Sequence, residues 1–250
     1  MKIIGSDYDG TLNHKGIDDI KRAAIHAWRA AGNVFAVVSG RGIDRLSEFY
    51  SKHGFECDYF VGYNGAVIAK PDGTVVFSAE CDGKVIPSLV EYILENGCFN
   101  VFVEADRSIE VCSEKIKRDE NGKLILNDIP KVGTFYQVST MCDDCAAAEV
   151  LTAGLKANFG DVLNPLQNGI CIDIVRKDIN KAQGLYALME LLGAKYEDII
   201  AVGDNVNDRD MIAEFRSYAM ENAVDQIKAI ADYITPGVTE LIEKELAPCF

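Results

Sequence analysis

Long apolar runs are missing from this 250-residue chain, and no stretch approaches the eighteen or so apolar residues of a membrane-spanning helix. Its start lacks a basic segment followed by an apolar one, so no secretory leader is expected. Positive charge is also short. The 25 Lys and Arg stand against 39 Asp and Glu, a net charge of −14 that repels nucleic-acid backbones and anionic membrane, so neither is expected as a partner. Six prolines and one tryptophan leave no proline-rich linker, and no internal repeat or low-complexity segment is visible. Eight cysteines are scattered, and without a leader they read as reduced thiols of a cytoplasmic protein. Cys142 and Cys145 form one C-x-x-C with no second pair for zinc, which reads as the accident of a helix start.

What is present is the composition of a globular protein, 48% apolar and 26% charged, with a length that suits one or two domains. The pattern begins as strand, helix, strand, helix. A short apolar run at Ile3 and Ile4 is followed by a helix capped at Asp18 or Asp19, with the stripe Ile20, Ala23, Ala24, Ala27, Trp28 and Ala31. A strand follows at 33–38 with the continuous apolar run Val-Phe-Ala-Val-Val, then a helix on Ile43, Leu46, Phe49 and Tyr50 that ends near Gly54. Such alternation predicts a parallel sheet covered by helices, where ligands bind beyond the carboxyl ends of the strands.

From residue 59 hairpins dominate. Strands are expected at 59–69, 74–77, 99–104, 108–112, 134–139, 162–163 and 169–175, with a helix opened by Pro87 and an alanine-rich helix over 143–159. Strand–helix alternation resumes with a helix over 178–192 and a strand at 198–202, and continues to the end. The fold class is therefore α/β, a Rossmann-like parallel sheet core carrying an inserted α+β domain. The expected division is 1–82 with 178–250 as core and 83–177 as insert.

Chemistry concentrates at strand ends. Asp7-Tyr8-Asp9-Gly10-Thr11-Leu12 ends the first strand, and side chains two apart on a strand share a face, so Asp7 and Asp9 start out aimed at one space. Alone, this reads as an Asp-Gly hairpin turn. Gly203-Asp204-Asn205-Val206-Asn207-Asp208 ends a later strand and brings two more carboxylates to the same edge. Convergent carboxylates need compensation, and a hard divalent cation with oxygen ligands supplies it. Asx turns and helix capping are the plain alternative for Asp204 and Asn207. Lys181 falls in the first turn of its helix, where the dipole disfavours a cation unless an anion lies alongside. Ser39 offers a hydroxyl at a helix start, a ready phosphate site or an ordinary cap. Arg41 is either an exposed charge or a ligand for a substrate anion.

In order, D-x-D-G-T-L, S-G-R, a lysine and G-D-N-x-N-D resemble the haloacid dehalogenase superfamily of phosphotransferases. The insert, Asn64-Gly65-Ala66 before it, and Glu221-Asn222-Ala223 with Ala231-Asp232-Tyr233 after it are similar to its Cof-like capped phosphatases. Position 8 is more usually Leu or Met there, and position 221 more often Gly.

The resemblance implies a phosphoric monoester hydrolase of small phosphorylated metabolites, sugar phosphates among them, with Mg2+ as cofactor. In this sequence Asp7 would be the nucleophile and Asp9 the acid–base, with Ser39 and Lys181 holding the phosphoryl oxygens. Gly40, Arg41, Asn64 and Asn207 would contact substrate. The metal would be held by Asp7, the Asp9 backbone carbonyl and Asp204, supported by Asp208. A sugar phosphomutase is the alternative, with Lys115, Lys117 and Arg118 as a second phosphate grip. A non-catalytic phosphosugar-binding protein is the third reading.

Overall fold

The computed structural model describes residues 1–98, 100–112, 119–120 and 131–247. The chain divides into two compact units, Met1–Ser78 with Asn180–Phe250, and Ala79–Ile179.

The first unit opens with β1 (Ile3–Asp7), α1 (Asp19–Ala30), β2 (Val34–Val38) and α2 (Ile43–His53). It continues through β3 (Tyr59–Gly62), β4 (Val67–Ala69) and β5 (Val75–Ser78). The second unit holds β6 (Cys81–Asp82), α3 (Ile86–Glu95), β7 (Asn100–Glu104), β8 (Ser108–Cys112) and β9 (Thr134–Phe135). It ends with β10 (Gln137–Met141), α4 (Cys145–Phe159), β11 (Leu163–Asn168) and β12 (Cys171–Arg176). The chain then returns to the first unit as α5 (Lys181–Leu192), β13 (Ile199–Gly203), α6 (Arg209–Glu214) and β14 (Arg216–Met220). Last come α7 (Asp225–Lys228), β15 (Tyr233–Thr235) and α8 (Val238–Leu246).

Eight strands of the first unit form one sheet in the order β15-β14-β13-β1-β2-β3-β4-β5. The run from β15 to β3 is parallel, and β4 and β5 add an antiparallel edge. Every residue of β1, β2 and β13 is buried, as expected of central strands covered on both faces. From β1 the chain moves one way to β2 and β3, and later returns on the other side through β13 to β15. The strand order therefore reverses between β1 and β13, and such a switch point opens a crevice at the carboxyl ends. Asp7 and Gly203 end the two strands that flank it.

The second unit has a five-stranded antiparallel sheet, β11-β12-β10-β7-β8, and a two-stranded ribbon of β6 and β9. Its core joins Ile86, Leu89, Val90 and Ile93 of α3 and Leu151 and Leu155 of α4 to Val101, Val103, Val138, Ile172 and Ile174 of the sheet. Among the described residues no helix is long and apolar enough to cross a membrane.

Three local expectations are corrected. The α1 stripe is buried only at Trp28, which is joined in the core by Ile25 from outside the stripe, while Ile20 is 69% exposed. Trp28 decides the rotation, because its large ring fills the core and its indole N–H donates to the Val34 carbonyl at 2.8 Å, whereas alanines bury too little to compete. The strand expected over 59–69 is a β3–β4 hairpin, reversed at Tyr63, Asn64 and Gly65 with φ of 51°, 53° and 104°. Asn-Gly is a strong turn signal, and the β-favouring residues around it masked it. The strand expected over 134–139 is split into β9 and β10 at Tyr136.

One buried charge anchors the last helix. Glu245 of α8, its side chain 2% exposed, accepts from Lys2 at 2.9 Å, from Arg216 at 2.6 Å and from the Tyr218 hydroxyl at 2.6 Å. Burial alone would raise its pKa, but these three partners outweigh burial and hold it below the ordinary glutamate range. A depressed folded pKa means stability present at neutral pH and lost as the pH falls through it. Glu245→Gln is expected to cost about 2 kcal/mol at neutral pH: the amide oxygen still accepts from Arg216 and Tyr218, but the charge is gone and the amide NH2 cannot accept from Lys2. The gap between wild-type and variant melting points should close in acid; a gap independent of pH would contradict this.

Candidate active site at the sheet switch point

Each chemical group is delivered by a strand end or a helix start. Asp7 closes β1 and is 5% exposed. After it the chain makes a kinked turn over Tyr8–Leu12, with Asp9 extended at φ −81°, ψ 120° and Gly10 at φ 82°. Gly10 is required twice over. Its φ favours glycine, and a Cβ there would lie 2.4 Å from Asp204 Oδ2. Across β13, the Gly203–Asp208 stretch folds into a single turn. Asp208, fully buried, accepts through Oδ2 from the backbone N–H groups of Asp204 at 2.9 Å and Asn205 at 3.1 Å.

Lys181 is the first residue of α5, capped by the Asn180 side chain, and is 1% exposed. Its ammonium donates to Asp7 Oδ1 at 2.7 Å and to Asp208 Oδ1 at 2.5 Å. The anion that its place in the first turn called for is thus supplied by the protein's own carboxylates. The start of α5 is pressed against the 63–65 turn, since a Cβ on Gly65 would lie 2.3 Å from the Asn180 carbonyl oxygen. That contact fixes the point from which Lys181 reaches inward.

The carboxylates of Asp7, Asp204 and Asp208 offer oxygens all within 4.8 Å of one another. Burial pushes the Asp7 carboxyl well up, and the neighbouring Asp208 adds to this against the pull of Lys181. Asp204 is raised too, chiefly by burial. Burial would lower Lys181, but Asp208 and Asp7 outweigh it and the ammonium is held more firmly protonated than usual. Three acids against one lysine leave negative charge uncompensated, and an all-oxygen donor set of this kind fits a hard divalent cation.

The remaining expected residues fall into place unevenly. Ser39 follows β2, is 2% exposed, and its Oγ accepts from the Arg41 backbone N–H at 3.2 Å. The Ser39 carbonyl accepts from the N–H of Asn64 at 2.9 Å, so Ser39 and Asn64, both buried, are neighbours. Gly40 and Asn207 are half-buried, the latter in the Val206–Asp208 turn. The Asp9 carboxylate does not join the other three. It turns instead to Arg41, whose Nε and Nη2 reach its two oxygens at 2.6 and 2.9 Å. Lys115, Lys117 and Arg118 lie outside the described residues.

Two positioning contacts were absent from the expected set. Thr11 Oγ1 donates to Asp204 Oδ1 at 2.8 Å, and Asn222 Nδ2 donates to the Gly10 carbonyl at 2.9 Å. Both residues sit inside motifs visible in the sequence. Nothing in the spacing alone says that the threonine serves the second acidic loop or that the asparagine serves the first.

A profile of the haloacid dehalogenase-like hydrolases matches residues 4–240. The 5-amino-6-(5-phospho-D-ribitylamino)uracil phosphatase YbjI of Escherichia coli is 27% identical, over 98% of this chain and 96% of its own. The HMP-PP phosphatase of Cronobacter sakazakii is 25% identical, over 89% of this chain and 85% of its own. Among solved structures, SMU.1108c of Streptococcus mutans superposes with a TM-score of 0.81 at 24% identity, covering 99% of this chain and all of that one. A nearly full-length family match, a sheet that switches between β1 and β13, and an acid–lysine cluster at that switch agree on one assignment: the chain belongs to the haloacid dehalogenase-like hydrolases, in their Cof-like branch.

Proposed function

We propose that the protein is a Mg2+-dependent phosphatase of small phosphomonoesters, working through a phosphorylated Asp7. The observation that carries this reading is Lys181, buried between Asp7 and Asp208 beside Asp204. Lys181 holds the Asp7 carboxylate through Oδ1, and that carboxylate attacks phosphorus in line. Attack converts one difficult displacement into two easier ones. Asp9 gives a proton to the departing alkoxide and then, as a carboxylate, takes one from the water that hydrolyses the acyl phosphate. Ser39, Lys181, Gly40, Asn64 and Asn207 hold the phosphoryl oxygens and orient the ester, and Arg41 borders the leaving group.

Asp7, Asp204, the backbone carbonyl of Asp9 and the supporting Asp208 would hold the cation. Mg2+ bound there neutralises charge on nucleophile and phosphate alike. Most of the rate gain then comes from placement and fixed charge. The phosphatase names of the relatives support this class of substrate. Choice among substrates is assigned to the inserted unit, Ala79–Ile179.

The test is phosphate release from a broad panel of phosphomonoesters with Mg2+ and with chelator. Turnover of several esters, lost on chelation, is the expected result. Isomerised sugar phosphate without free phosphate would indicate a mutase, and binding without turnover would leave a non-catalytic protein. Exchanging the 79–179 segment for a relative's should reorder the panel; an unchanged ranking removes that unit's role.

A further inference from the structure

We propose that Phe49, stacked on Tyr8, is a positioning residue for the Asp9 carboxylate, acting through the guanidinium of Arg41. The proposal rests on the acid–base role given to Asp9 above and names what holds that group in place.

Asp9 needs holding. Its side chain is 52% exposed, and its backbone lies in the kinked turn just before Gly10. A carboxyl that must meet one leaving oxygen loses most of its effect when it swings freely. Arg41 supplies the hold, two parallel hydrogen bonds of 2.6 and 2.9 Å from a rigid planar fork. One of those bonds suffices to keep the carboxyl in place while the other oxygen handles the proton.

Arg41 is itself a long side chain with many rotamers and needs a support of its own. Its guanidinium carbon lies 5.0 Å from the centroid of the Phe49 ring. A flat guanidinium settles on an aromatic face in a way that an aliphatic side chain does not reproduce. Phe49 in turn is stacked on Tyr8, with centroids 5.3 Å apart and planes 6° from parallel. Tyr8 is 1% exposed and also packs against Phe55 at 6.3 Å.

The four side chains make a closed circuit. It leaves the backbone at Tyr8, passes through Phe49 and Arg41, and returns to the backbone at Asp9, the next residue. Any shift of the turn therefore moves the ring and the carboxylate together. This gives a reason for an aromatic residue at position 8. The buried Tyr8 hydroxyl has no hydrogen-bond partner among the described residues, so the ring and not the hydroxyl accounts for its place.

The readout is leaving-group dependence. An alkyl phosphate must be given a proton as its alkoxide departs, whereas p-nitrophenyl phosphate releases a phenolate stable without one. Because kcat/KM covers only steps up to the first bond cleavage, it isolates the acid role from later hydrolysis. In the full-length protein with Mg2+, Phe49→Leu is expected to lower kcat/KM for an alkyl phosphate about tenfold while changing that for p-nitrophenyl phosphate less than about threefold. Phe49→Tyr, which keeps the ring, is expected to restore the alkyl rate. Phe49→Met keeps most of the volume without a flat face and carries the same test if the leucine variant does not fold. Equal losses on both esters, or no loss on either, would overturn the proposal. A wild-type protein inert towards both esters would overturn the phosphatase reading itself, and this proposal with it.

Discussion

Asp7→Asn is expected to lower Mg2+-dependent phosphate release by about 10⁴-fold or more, the scale on which loss of a nucleophile is felt. The amide is close in size to the carboxylate and keeps an oxygen that can accept from Lys181, now bonded to Asp7 at 2.7 Å. It lacks the negative charge that the proposed attack on phosphorus requires. The fold should not suffer. Burial and the neighbouring Asp208 already push the Asp7 carboxyl well up, so an uncharged group at that position relieves crowding among the three acids. In chelator, the melting temperature of the variant should equal or exceed that of wild type. The rise in melting temperature on adding Mg2+ should be smaller, because one of the ligands proposed for the cation is lost and stabilisation by a ligand follows its affinity. A variant that releases phosphate at near wild-type rate would remove Asp7 from the role of nucleophile.

Much of this site is legible in the sequence. Buried strands ending in Asp7 and Gly203 announced themselves as apolar runs, and the parallel alternation placed both ends at one edge. Lys181 was legible for a physical reason, a cation where the helix dipole opposes one. What the sequence hid was direction. Strand periodicity put Asp7 and Asp9 on one face, yet the strand stops at Asp7 and the turn at Gly10 sends the Asp9 carboxylate to Arg41. Of the α1 stripe only Trp28 is buried, with Ile25 beside it from outside the stripe, because burying one large ring outweighs burying several alanines. Contacts such as Thr11 with Asp204 join residues 193 apart in sequence, and no local pattern records them.

Lys181→Met tests how far that cluster depends on its one buried cation. The ammonium has no exposure, and it is shared by two carboxylates whose side chains are 7% and 0% exposed. Removing it leaves Asp7 and Asp208 buried without their counter-charge, a change that costs about 3–5 kcal/mol in comparable settings. For a chain of this length that is a fall in melting temperature of about 10 °C. Asp208 keeps its two backbone donors through Oδ2, so the loss centres on Oδ1 of both acids. A divalent cation should then act as a partial substitute. With the lysine gone the three carboxylates attract Mg2+ more strongly, so the cation should raise the melting temperature of Lys181→Met by more than it raises that of wild type. Turnover should remain low even so, because a metal held by the acids cannot also hold the phosphoryl oxygen assigned to the lysine. A melting temperature within about 2 °C of wild type in chelator, a shift worth less than about 1 kcal/mol, would show that the acids do not rely on Lys181.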